Sequence, residues 1–270
     1  RSRGRGADMS EVVSVAPYYR DIGGESALFR KAHERRLPLM IKGPTGAGKS
    51  RFVEAMAHAL GRPLVTIACH EDTSATDLLG RFLVRGGDTV WQDGPLTRGV
   101  RAGAIVYLDE IAEAREDVIS VIHPLTDHRR ELFIDKIDER LDAPPEFMLV
   151  VSFNPGYQRR LKQLKPSLRQ RFIAMRFDYP QPEVEAEIVA REARVELSTA
   201  RRLVELATRV RKLEDLGLTE TVSTRLLVYA ATVIGAGVPP RQACELAIAQ
   251  PLSDDADVVQ TIRDLAALVF

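Results

Sequence analysis

Leu37-Pro38-Leu39-Met40-Ile41-Lys42-Gly43-Pro44-Thr45-Gly46-Ala47-Gly48-Lys49-Ser50 runs from an apolar segment through a glycine-rich octet into a helical pattern. The octet, Gly43 to Ser50, satisfies G-x-x-x-x-G-K-[ST] in full, with a strand before it and a helix after it as the motif requires. Glycines let the backbone curl until successive N–H groups face one phosphate. The helix that follows adds the positive end of its dipole. In such a loop Gly43, Pro44, Thr45, Gly46, Ala47, Gly48, Lys49 and Ser50 line a nucleotide site. Lys49 reaches the β- and γ-phosphates, and Ser50 offers a hydroxyl to Mg2+.

Downstream, Ile105-Val106-Tyr107-Leu108 is an apolar strand that ends in two carboxylates, Asp109 and Glu110. It follows the loop by roughly sixty residues, as a metal-binding strand end does in such chains. Asp109 is placed to hold Mg2+, directly or through water, and Glu110 to orient and polarise an attacking water. Asn154 follows another apolar strand and is a candidate for placing that water, although Asn154-Pro155-Gly156 is also good turn chemistry. Arg169 and Arg171, in Ser167-Leu168-Arg169-Gln170-Arg171-Phe172, suit a developing γ-phosphate charge because a guanidinium is always charged and forks onto two oxygens. By spacing alone they read equally well as surface arginines. Arg225, in Ser223-Thr224-Arg225 at a helix start, is a third arginine candidate, with a capped helix bearing one exposed Arg as its alternative.

Around these motifs the organisation is that of an α/β protein. Leu37–Ile41, Leu64–Ile67, Ala104–Leu108, Phe147–Ser152 and Ile173–Phe177 are short apolar runs, most of them separated by helical patterns such as Ser50–Leu60 and Asp117–Leu125. Near-continuous apolar strands alternating with helices predict a parallel sheet covered on both faces. Phe82–Trp91, with Gly86-Gly87 at its centre, and Glu131–Ala143 read as hairpins inserted into that core. Tyr179-Pro180-Gln181-Pro182 breaks the pattern. Beyond it Glu183–Ala193, Ser198–Leu213, Ser223–Ile234 and Pro240–Ala249 read as helices, with Ser198 and Ser223 as N-caps.

The 270 residues carry 38 basic and 38 acidic side chains, so nothing in the overall charge attracts nucleic acid. No apolar run is long enough to span a membrane. Two distant cysteines, Cys69 and Cys244, fit buried thiols in a reducing cytoplasm better than a disulfide framework. Residues 1–16 begin basic and glycine-rich, without the apolar segment of a signal peptide, and are expected to be a disordered lead with Met9 as a candidate start.

In this order the motifs resemble the AAA+ superfamily. Gly43–Ser50 resembles its Walker A, Asp109-Glu110 its Walker B, Asn154 its sensor 1 and Arg225 its sensor 2. The two hairpins resemble the helix-2 insert and pre-sensor-1 hairpin of the MoxR clade. Pro17-Tyr18-Tyr19-Arg20, Ala68-Cys69-His70-Glu71-Asp72, Trp91-Gln92-Asp93-Gly94-Pro95-Leu96-Thr97, His123-Pro124-Leu125-Thr126-Asp127, Asn154-Pro155-Gly156-Tyr157-Gln158 and Ser223–Tyr229 are similar to its CbbQ/NorQ subgroup. The Walker motifs mark any P-loop ATPase; the longer strings pick the subgroup, and the resemblance runs from Pro17 onward.

The resemblance implies an AAA+ P-loop core over residues 17–178, with a five-stranded parallel sheet and two hairpin insertions, and a C-terminal all-helical lid over residues 179–270. It implies hydrolysis of ATP with Mg2+ in a homo-hexamer, with Arg171 favoured over Arg169 as the finger that reaches the next subunit's γ-phosphate. It also implies a partner carrying a von Willebrand factor A domain. CbbQ-type members act as Rubisco activases that release inhibitory sugar phosphates, and NorQ-type members serve maturation of nitric oxide reductase. The overall likeness of the strings leans towards Rubisco, with no single residue deciding. His70-Glu71-Asp72-Thr73 stands where a pore loop is expected and lacks the aromatic–hydrophobic–Gly pattern of polypeptide-threading unfoldases. The competing class is a nucleic-acid motor, since some helicase-like members carry similar hairpins; neutral charge and the acidic hairpin with Asp135, Asp138, Glu139 and Asp142 weigh against it.

Overall fold

The computed structural model describes residues 11–12, 16–155, 164–213 and 221–270. They form two compact units. Residues 11–12, 16–42, 49–154 and 164–176 make the first, and residues 43–48, 155, 177–213 and 221–270 the second.

The first unit is built on a six-stranded sheet. Its strands are β1 (Glu11–Val12), β2 (Leu39–Lys42), β3 (Pro63–Ala68), β6 (Ile105–Asp109), β9 (Met148–Phe153) and β10 (Ile173–Arg176), in the order β1-β3-β6-β9-β2-β10. The intervening β4 (Gly80–Arg85), β5 (Asp88–Asp93), β7 (Glu131–Ile134) and β8 (Glu139–Asp142) form the two hairpins. All five strands read from the sequence pair in parallel. The sixth is a correction: β1 lies inside the expected disordered lead and pairs antiparallel with β3 at Glu11↔Leu64. The rest of that lead, apart from exposed Ala16, lies outside the described residues, as do Gly156, Tyr157 and Gln158.

The central strands β2, β6 and β9 are apolar on both faces because both are covered, whereas β10 and β3 leave residues such as Ile173 and Thr66 exposed. Leu39, Met40, Ile41 and the whole of Ile105–Leu108 are buried. The helices of this unit are α1 (Glu25–Glu34), α2 (Lys49–Ala59), α3 (Ala75–Leu79), α4 (Pro95–Arg101), α5 (Glu116–Ile122) and α6 (Pro166–Arg169). Of the stripe Phe52, Val53, Met56, Ala59 and Leu60 that a 3.6-residue period predicts, helix α2 buries the first three together with Ala57, while Ala59 is exposed. Phe52 meets Phe29 of α1 edge-on and Tyr19 at a tilt, so the Pro17–Arg20 string packs on the helix that follows the glycine loop. Helix α5 stops at Ile122, short of the predicted Leu125. Pro124 follows, and His123–Leu125 tightens into a 3-10 turn.

The first hairpin turns at Gly86 and Gly87, both with positive φ, as a two-residue type I′ turn demands. The second turns through Asp135–Ile137, with Asp138 left-handed. Arg101 of α4 ties the base of the first hairpin to the turn end of the second, giving Nε to Asp93 and a two-pronged contact to Glu139.

The second unit carries α7 (Pro182–Ala193), α8 (Leu197–Arg211), α9 (Thr224–Gly235), α10 (Pro240–Cys244), α11 (Gln250–Leu252) and α12 (Ala256–Val269). Its core forms where Leu203, Val204, Leu206, Ala207 and Val210 of α8 meet Ala186, Val189, Leu227, Ala230 and Ile262. Ser223 caps α9 as predicted, accepting from Leu226 N at 3.3 Å. Ser198 does not cap α8, which begins one residue earlier at Leu197. The predicted Pro240–Ala249 helix is interrupted by a π-turn at Glu245–Ala249. Helix α12, capped by Asp255, was not read from the sequence.

Candidate nucleotide-binding site

Parallel strands place their carboxyl ends along one edge of a sheet, where open α/β proteins bind ligands. Strand order decides which ends are neighbours. Leu108 pairs with Val151 across β6 and β9, so Asp109 comes to lie beside Ser152. The Ser152 hydroxyl donates to Asp109 Oδ1 and accepts from the Glu110 backbone N–H at 3.0 Å. Tyr107 OH donates to the same Asp109 oxygen at 2.7 Å. Ser50 Oγ stands 3.4 Å from Asp109 Oδ2 and 3.4 Å from Tyr107 OH. Burial, followed by the Asp109 charge, raises the Tyr107 phenol well above its ordinary range, so it keeps its proton and can donate to Asp109.

This arrangement suits a hard cation. The Ser50–Asp109 separation is long for an O–H···O bond, and oxygen ligands from one hydroxyl and one carboxylate fit an ion such as Mg2+ that keeps most of its waters. Glu110 is exposed and left-handed, φ 55° and ψ 49°. A residue with a Cβ pays roughly 1–2 kcal/mol for that conformation, which the Ser152 bond offsets. Lys49 opens α2 with its side chain buried, and Asn154 follows the last residue of β9. Cys69, close to Asp109 and Glu110, is pushed up to about 12 by burial and by the two negative charges. It therefore stays a thiol at neutral pH.

The glycine loop, residues 43–48, is held within the second unit. A Cβ on Gly43 would stand 2.3 Å from the Phe177 carbonyl oxygen. Gly46 has φ +71°, and a Cβ there would stand 2.5 Å from Ser223 Cβ. The same added atom would lie 3.5 Å from Arg225 Cβ, so Arg225, in the first turn of α9, lies directly against the loop. Tyr179 OH donates to the Thr45 carbonyl at 3.0 Å. Glycine at these positions lets Phe177 and Ser223 approach the loop backbone.

The two finger candidates differ. Arg169, at the end of α6, is exposed and has no ion pair among the described residues. Arg171 is half-buried and gives Nη1 to Asp127 at 3.2 Å, a carboxylate that also takes a fork from Arg129. These guanidinium groups, Arg129's hydrogen bonds first, hold the Asp127 carboxyl well below the usual range. His123 sits beside them with Nε2 buried and without a hydrogen-bond partner.

Four residues around these candidates were not singled out from the sequence: Tyr107, Ser152 and Asp127 in the first unit, and Tyr179 in the second. Tyr107 carried a signal, since it lies two residues before Asp109 on the same strand face. Ser152, a polar residue inside an otherwise apolar strand, carried a weaker one. Asp127 and Tyr179 were inside quoted strings but had no role until tertiary structure supplied their partners.

Residues 38–172 match the model of the AAA domain, dynein-related subfamily, and residues 185–269 match the CbbQ/NirQ/NorQ C-terminal family. The chain belongs to the CbbQ/NirQ/NorQ family of MoxR-clade AAA+ ATPases. Among its relatives is protein CbbQ of Hydrogenophilus thermoluteolus, 55% identical over 259 residues that cover 96% of this chain and 97% of that one. Protein NorQ of Paracoccus denitrificans is 56% identical over 255 residues, covering 94% of each chain. The denitrification regulatory protein NirQ of Stutzerimonas stutzeri is 54% identical over 255 residues, covering 94% of this chain and 93% of that one. Among solved structures, a putative ATPase from Cytophaga hutchinsonii superposes with TM-score 0.52 at 17% identity, over 89% of each chain. A RuvB variant from Thermotoga maritima does so with TM-score 0.51 at 17% identity, over 91% of this chain and 71% of that one. At that identity these two share the fold alone with this family member.

Proposed function

We propose that this family member hydrolyses ATP to drive remodelling of a client protein, and that the client is Rubisco carrying an inhibitory sugar phosphate. The backbone of Gly43–Gly48 and the Lys49 ammonium take the phosphates. Ser50 and Asp109 hold Mg2+, which when bound offsets phosphate charge. Glu110 orients the attacking water, with Asn154 helping to place it. Arg225 contacts the γ-phosphate within the subunit, and Arg171, with Arg169 beside it, reaches the next subunit of a homo-hexamer. A partner with a von Willebrand factor A domain couples the cytoplasmic ring to its client.

One observation carries the hydrolytic reading: Glu110 is held in a left-handed conformation by Ser152, which also binds Asp109. A protein that only binds ATP has no use for that placement. The Rubisco client rests on the family resemblance. The near-equal identities to CbbQ, NirQ and NorQ support nitric oxide reductase maturation as the second reading.

The test is recovery of carboxylation by sugar-phosphate-inhibited Rubisco from the same host, with this protein, its von Willebrand factor A partner and ATP. Recovery with wild type and none with Glu110→Gln is the expected result. No recovery from a complex that still hydrolyses ATP moves the client to nitric oxide reductase. Normal turnover by Glu110→Gln sinks the role given to Glu110.

A further inference from the structure

The helical unit contains a carboxylate that the nucleotide chemistry leaves unused. Glu185, in the first turn of α7, is completely buried. Arg211, in the last turn of α8, forks onto it with Nη1 to Oε2 at 2.7 Å and Nη2 to Oε1 at 2.8 Å. The Thr224 hydroxyl gives a third bond to Oε1 at 2.6 Å. Arg211 Nε donates to the Val222 carbonyl at 2.9 Å, and its guanidinium lies 4.1 Å over the Tyr179 ring. Tyr179 in turn holds the Thr45 carbonyl of the glycine loop.

Every end of this network touches something that bears on phosphate binding. Val222 and Thr224 flank Ser223, whose Cβ fills the space that Gly46 leaves open. Thr224 immediately precedes Arg225. A buried ion pair is a poor source of stability, because apolar residues of the same volume would do as well or better. Its strength is fixed geometry, since a fork fixes distance and angle together.

We propose that Glu185 and Arg211 are positioning residues for the nucleotide site. They lock the start of α9, and with it Arg225, in register with the glycine loop, and through Tyr179 they hold the loop itself. The inference rests on the reading that residues 43–48 and Arg225 bind ATP phosphates, and it adds the residues that aim them. Since Arg225 reaches the γ-phosphate, loss of the network weakens ATP more than ADP.

The test measures the affinities of wild type, Glu185→Gln, Arg211→Lys and Tyr179→Phe for ADP and for a non-hydrolysable ATP analogue, below each variant's melting temperature. Glu185→Gln keeps the shape and removes the charge, Arg211→Lys keeps the charge and removes the fork, and Tyr179→Phe removes one hydroxyl from an otherwise intact fold. The expected result is a preference for the ATP analogue over ADP reduced about five- to tenfold, within the range of couplings between sites. The reduction should shrink to nothing when Glu185→Gln is made in an Arg225→Ala background, because the two then act through one contact. Lowered melting temperatures with an unchanged ATP-to-ADP preference overturn the proposal and leave nucleotide binding standing. Wild type that binds neither nucleotide overturns both.

Discussion

Ser152→Ala removes a hydroxyl that is fully buried and makes two bonds, one to the Asp109 carboxylate and one from the Glu110 N–H. The left-handed backbone at Glu110 is unfavourable by roughly 1–2 kcal/mol for any residue with a Cβ. The Ser152 bond acts against that preference. Without it, Glu110 relaxes towards ordinary conformations, and at 0.59 kcal/mol for RT the competent population falls to roughly one-fifth to one-thirtieth. The phosphate contacts proposed above do not include Ser152, so ATP binding should be nearly unchanged. Steady-state phosphate release should therefore show kcat lowered about 5- to 30-fold with KM for ATP within about twofold. Ser152→Thr, which keeps a hydroxyl, should recover part of the loss. A kcat within about twofold of wild type for Ser152→Ala, in a protein with normal thermal stability, would refute the argument that this bond holds the water-activating carboxylate.

Three further outcomes are expected. Gly43→Ala puts a Cβ 2.3 Å from the Phe177 carbonyl oxygen, and the loop must shift by roughly 1 Å; kcat/KM for ATP should fall on the order of a hundredfold, and wild-type kinetics would show that the approach is not constrained. The His123 imidazole is held below its ordinary 6.5 by burial first and by Arg171 and Arg129, with Asp127 opposing. The folded state then binds fewer protons than the unfolded one, so stability present above 6.5 is lost as pH falls through the lower folded value. Melting temperatures between about pH 7.5 and about pH 5 should fall more steeply for wild type than for His123→Gln, and equal slopes count against the effect. Cys69 and Cys244 are both buried and pushed up to about 12. Iodoacetamide at about pH 8 should alkylate neither in the native protein and both in denaturant, and rapid native modification of Cys69 would contradict its burial.

The glycine octet, the Asp109-Glu110 strand end and the five apolar strands were legible because each is a local pattern. A loop that cradles phosphate must have glycines at set offsets, and a strand covered on both faces must be apolar throughout. The first hairpin was equally plain, because Gly86-Gly87 is what a two-residue turn with positive φ needs. Helix ends were less secure: Ser198 has the chemistry of a cap, but α8 begins at Leu197, with Glu196 in the cap position.

What the sequence by itself determined was the set of candidates for the proposed chemistry: a glycine-rich loop, an Asp-Glu strand end and three arginines. What only the tertiary structure decided was which side chains aim them. Ser152 meets Asp109 because β9 lies beside β6, a consequence of strand order that no local period encodes. Asp127 meets Arg171, Tyr179 meets Thr45, and Glu185 meets Arg211 and Thr224, all across chain separations where sequence offers no register. Periodicity reports which face of an element is buried. It does not report what waits on the other side, and pairings between elements are set only when the sheet order and the helix packing are in place.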